Sequence, residues 1–143
     1  MAVIMDTNGK NERALVFDIA ATIREHFLRI LESSIKTKQT KGSCLYACAL
    51  LKTAYSQFTD FKVLCRGGDG ITSGFRASSG ELHGHYWLAV KTQTDTFIVD
   101  ITADQFGYPA IIVEEEHSSL AYLSGDQENI DEHFESFLLS LKA

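Results

Sequence analysis

The chain has no run of about 18 or more apolar residues, so no transmembrane helix is expected. Its first twenty residues lack the basic start, apolar centre and small-residue cleavage site of a secretory signal. It has only 3 cysteines, Cys44, Cys48 and Cys65, which leaves one over in any disulfide scheme. Free thiols in a reducing compartment follow. The expected location is the cytoplasm, or a host cell entered by a signal-peptide-independent route. Basic charge is also short: residues 100–143 hold 1 Lys/Arg against 10 Asp/Glu, and residues 1–99 hold 12 against 9. A nucleic-acid binder needs a concentrated basic face, so neither nucleic acid nor an anionic membrane is expected as a partner. Low-complexity tracts and internal repeats are absent from the sequence.

What is there suits one packed unit. The 143 residues are 45% hydrophobic and 22% charged, enough for a single domain, 1–143, around one core. Residues 1–12 are expected to be a loose arm or edge element. Apolar residues recur every three to four positions from Val16/Phe17 through Ala20, Ile23, Phe27 and Ile30/Leu31 to Ile35, predicting a helix over 14–37. The KTKQTKGS stretch at 36–43 breaks it. A second helix is predicted over 44–58, with Leu45, Cys48, Ala49/Leu51, Tyr55 and Phe58 inward and Ser43 as its N-cap. A strand follows at 61–65. Residues 66–84 hold 6 of the 10 glycines, with Ser73, Ser78 and Ser79 among them, and are predicted as one long loop that suits a mobile lid or a shallow backbone-binding rim. HYWLAV at 85–90 and DTFIVD at 95–100 predict a hairpin covered on both faces, with KTQT as its loop. A helical turn at 102–107, a strand at 110–114 started by Pro109, and a helix at 127–141 complete the expected α+β order. The last helix buries Ile130, Phe134, Phe137/Leu138 and Leu141 and is capped by Asp126 or Ser124.

Three short pieces carry chemistry. Cys44 opens a predicted helix, where unpaired backbone N–H groups and the helix dipole favour a thiolate. With KTQT as the loop, Val90 faces Asp95 and His85 faces Asp100, so an imidazole lies beside a carboxylate. That is the orienting pair a Cys–His site needs. Cys44 would attack an amide or acyl carbonyl, His85 would move the proton, and Asp100 would hold His85. No cofactor is required. The Cys44 N–H is one candidate oxyanion donor, and a side-chain amide, Gln105 or alternatively Gln39, is the second. Trp87 shares a face with His85 and would wall the site.

The pieces GSC–LYA, HYWLAV and VDITADQF together resemble the papain-like, transglutaminase-like Cys-His-Asp superfamily, in particular the glutamine-deamidase domains of bacterial toxins and injected effectors. The 41-residue gap from Cys44 to His85 and the 15 residues from His85 to Asp100 match that pattern. Gln105 occupies the place of the family's oxyanion glutamine. The resemblance covers about residues 40–106. It implies a catalytic helix packed on a small antiparallel sheet and a protein or peptide substrate. The implied activities are glutamine deamidation, peptide hydrolysis or acyl transfer.

Blander readings stand beside these. Cys44 can be a small buried helix residue, His85 a satisfied core histidine, Asp100 a strand-end cap, and the domain a non-catalytic interaction module. Cys48 and Cys65 read as packing, and Asp104 as surface or a local cap. Cys44, His83, His85 and Asp100 could instead hold zinc, though no zinc-knuckle or HExxH pattern supports it. GGDG lacks a phosphate-loop pattern, and Glu114, Glu115 and Glu116 read as a solvated acidic run.

Overall fold

The computed structural model describes residues 9–35 and 43–141. Gln39, Gly42 and most of the predicted break at 36–43 lie outside the described residues. Helix α1 runs Gly9–Ile35, and α2 runs Cys44–Phe58. The strands are β1 Lys62–Gly68, β2 Gly74–Arg76, β3 Leu82–His83, β4 His85–Lys91, β5 Thr96–Asp100, β6 Ile112–Glu115 and β7 Tyr122–Leu123, before α3 at Gln127–Leu141. Short 3₁₀ turns sit at Ala103–Phe106 and Glu116–Ser118. The strands form two antiparallel sheets, a four-stranded one ordered β1-β4-β5-β6 and a three-stranded one ordered β3-β2-β7. The chain is thus a small α+β domain with helices packed on antiparallel sheet.

Side-chain alternation divides the central hairpin between two cores. Leu88, Val90, Phe97 and Val99 face the helices and meet Val16, Ala20, Phe27 and Leu31 of α1, Cys48, Leu51 and Tyr55 of α2, and Ile130 and Phe134 of α3. Trp87 and Ile98 face the other way, against Phe75 and Tyr122 of the small sheet. Full burial of a side chain such as Phe27 contributes about 1.5–3 kcal/mol. The ends of two predicted stripes do not reach the core: Phe58 is 72% exposed and Leu141 51%. Asp126 caps α3, its Oδ1 accepting the Glu128 N–H at 2.9 Å. Ser43 precedes α2 but makes no side-chain cap bond.

Two expectations are corrected. Residues 9–12 are helix, not arm, because Glu12 turns inward and its carboxylate accepts the N–H groups of Gln93 and Thr94 and the Thr94 hydroxyl. It thereby caps the β4–β5 turn from 81 residues away. Residues 66–84 are not one loop. They finish β1 and form β2 and β3, with a tight turn between in which Asp69 Oδ1 accepts the N–H groups of Ile71 and Thr72. The glycines serve backbone contact. A Cβ on Gly68 would lie 2.1 Å from the Gly74 nitrogen, and one on Gly74, at φ +122, would lie 2.2 Å from the His83 carbonyl oxygen.

Candidate active site

The site begins with the turn between β4 and β5. The Thr92 N–H bonds the Asp95 carbonyl at 2.8 Å, so the turn spans 92–95 instead of the expected KTQT at 91–94. Lys91 pairs with Thr96 and Val90 with Phe97, two residues from the expected register. A two-residue offset keeps each side chain on its face. His85 and Asp100 therefore become diagonal neighbours instead of opposed ones, and they still meet. His85 Nε2 donates to Asp100 Oδ2 at 2.7 Å, with both side chains almost fully buried.

Asp100 is held at both oxygens. The Thr102 N–H and hydroxyl donate to Oδ1 at 2.9 and 3.1 Å, and the Tyr122 hydroxyl donates to Oδ2 at 2.7 Å. Burial opposes ionisation of this carboxyl, but the His85 charge and these donors hold it below the usual carboxylate range. For His85, burial pulls downward, while the Asp100 charge and hydrogen bond, with Cys44 adding to them, carry the pKa up to about 10. Both shifts favour imidazolium and carboxylate as the form of the pair.

The second ring nitrogen, Nδ1, is buried and has no hydrogen-bond partner of good geometry among the described residues. Cys44, the first residue of α2, adds to the upward shift of the ring both as a side-chain hydrogen-bonding group and as a charge. Cys44 is half-buried, whereas Cys48 and Cys65 are buried in the helix-side core. Burial, with Cys65 beside it, pushes the Cys48 thiol well up.

Trp87 packs beside His85, ring centroids 6.2 Å apart, and its buried Nε1 has no partner among the described residues. Gln105 sits in the 3₁₀ turn after β5 and its amide donates to the Thr102 carbonyl at 2.9 Å. Asp104 is partly exposed, near the surface as expected. It takes a bidentate pair from Arg24 of α1, at 3.1 and 2.8 Å, while Arg24 also donates to the Ile101 carbonyl at 2.6 Å. That clamp ties α1 to the segment just after Asp100. His83 turns to Glu81 at 3.2 Å and stacks on Phe106. The zinc set of Cys44, His83, His85 and Asp100 is not gathered. Among the described residues the one cluster of ligand atoms within 4.8 Å is Asp95, Glu115 and His117, at the far end of β5.

Tyr122 and Thr102 were not foreseen. Thr102 had a signal, since Asp-x-Thr is a pattern in which the carboxylate bonds the backbone two residues on. Next along β4, Tyr86 bonds His133 Nδ1 at 2.8 Å and borders a cavity of about 460 Å³ with Gly68, Asp69, Ser73 and Asn129. Burial, and then the charges of Cys44, Cys65 and Cys48, raise the Tyr86 phenol. No family model, characterised protein or solved structure matches the chain.

Proposed function

We propose that the chain is a thiol-dependent amide hydrolase with a papain-like, transglutaminase-like core, acting through Cys44, His85 and Asp100. One observation carries the proposal: a fully buried His85–Asp100 pair whose second ring nitrogen lacks a bonded partner, with the half-buried Cys44 thiol bearing on the same ring. A structural core histidine gains nothing from an unpaired buried N–H, which costs stability. A cationic imidazole next to a helix-start sulfur stabilises a thiolate.

In this scheme the Cys44 thiolate attacks the amide carbonyl carbon. The C–N bond breaks, and His85 gives its Nδ1 proton to the leaving amine. A thioester remains. Water gives a proton to the now neutral His85 and attacks the thioester carbonyl; the C–S bond breaks, the acid product leaves, and the thiolate–imidazolium pair is restored. Asp100 keeps its charge and fixes the ring throughout. The Cys44 N–H would bind the oxyanion. Gln105 joins it only by using its second amide hydrogen or by releasing Thr102. Trp87 walls the His85 side.

The favoured substrate is a protein glutamine side chain. The glycines of 66–84 suggest a mobile lid or a shallow backbone-binding rim, but the segment finishes β1 and forms β2 and β3, so it does not support this choice. What supports it is the resemblance of GSC–LYA, HYWLAV and VDITADQF to glutamine-deamidase domains, with Gln105 five residues past Asp100. The cavity past Tyr86 gives room for the residues flanking the target.

The test is incubation of wild type and Cys44→Ala with a native host-cell lysate, followed by comparison of intact and digested masses. Cys44-dependent conversion of glutamine to glutamate, with ammonia released, is expected. Cys44-dependent new termini would make it a peptidase, and added amines would make it a transferase. No Cys44-dependent change would favour a non-catalytic domain.

A further inference from the structure

The small sheet reaches the His85–Asp100 pair through the Tyr122 hydroxyl. Tyr122 lies in a two-residue strand and pairs with Phe75 of β2. Its ring is fixed by Phe75, at a centroid distance of 5.1 Å, and by Trp87, at 5.0 Å. Both contacts are near edge-on. The residue is 6% exposed, so no solvent competes for its hydroxyl. That hydroxyl donates to Asp100 Oδ2, the same oxygen that accepts His85 Nε2, and both distances are 2.7 Å. Oδ1 is independently occupied by Thr102. The carboxylate thus has four donors on two oxygens and one orientation.

We infer that Tyr122 is a positioning residue for His85: by sharing Oδ2 it keeps Asp100 ionised and aimed at Nε2, and it makes the small sheet a working part of the site. A carboxylate with two charge-assisted donors on one oxygen holds a proton less readily than one with a single donor. Burial and the neighbouring Asp100 charge push the Tyr122 phenol far up, so it stays a donor across the working pH range. The role is to keep the proton on His85, where the proposed chemistry uses it. A phenylalanine at this position would pack equally well and leave Oδ2 to His85 alone.

The inference rests on the thiol-hydrolase proposal for its purpose, but its test does not need an active cysteine. The Asp100 carboxyl is titrated by ¹³C NMR, and the His85 Nε2 proton is followed by ¹⁵N-edited NMR, in wild type and Tyr122→Phe. Loss of one hydrogen bond to a charged group should raise the Asp100 midpoint by about one to two pH units. The Nε2 proton should move downfield as Oδ2 loses its competing donor. An unchanged midpoint in a folded Tyr122→Phe would overturn the inference and leave Tyr122 as packing alone. Should Tyr122→Phe not fold, 3-fluorotyrosine at position 122 keeps the ring and strengthens the donor. It should move the midpoint downward, and no movement or an upward one would overturn the inference. Slow alkylation of Cys44, no faster than Cys48, would overturn the hydrolase proposal while leaving the titration to decide Tyr122.

Discussion

His83 and His85 stand two residues apart, and each meets a carboxylate. His83 faces Glu81 at 3.2 Å with side chains 33% and 71% exposed, while His85 faces Asp100 at 2.7 Å with side chains 0% and 1% exposed. The first pair is local and solvated, with the His83 ring stacked on Phe106. The second joins two strands, is braced by Thr102 and Tyr122, and has its pKa raised further by Cys44. Residue types alone do not separate the two pairs. Burial does, because charges removed from water must be paired and hydrogen-bonded to exist at all.

The largest expected effect comes from breaking the buried pair. Asp100→Ala strands the donors of His85, Thr102 and Tyr122 and should cost about 3–5 kcal/mol, read as the shift in denaturation midpoint. A smaller effect comes from pH. His85 has its pKa raised from 6.5 to about 10, so its stabilising contribution is complete below about pH 6.5 and is lost as pH rises through 10. Asp100 is lowered from 3.8, so its contribution is present above that value and is lost as pH falls through its depressed pKa. Stability measured by chemical denaturation should therefore decline between pH 7 and 10, and that slope should flatten in Asp100→Ala. A slope of equal size in the variant would assign the decline to other groups. The smallest effect belongs to the exposed pair: Glu81→Ala should change stability by less than about 0.5 kcal/mol.

Much of the architecture was legible where apolar periodicity is strong. Helices α2 and α3 fall where the spacing put them, and the hairpin is central as its two apolar faces implied. The failures have physical causes. Strands of two and three residues, such as β2, β3 and β7, are too short to show alternation, so a glycine-rich segment read as loop. The hairpin register slipped by two because its turn is set partly by Glu12, a contact 81 residues away. The face assignment survived that slip because strand side chains alternate with period two. His85 and Asp100 were therefore legible as a pair, and Trp87 as their neighbour. Tyr122 was not, since it lies 22 residues past Asp100 in a segment with no pattern beyond being its one aromatic.

Whether Cys44 is an activated nucleophile is tested most directly by iodoacetamide labelling at about pH 7, read by peptide mass spectrometry on wild type and His85→Gln. Cys44 should be modified at least about tenfold faster than Cys48 or Cys65 in the folded protein, and that advantage should disappear in His85→Gln. Equal and slow labelling of all three thiols, or a Cys44 rate indifferent to His85, would contradict the account.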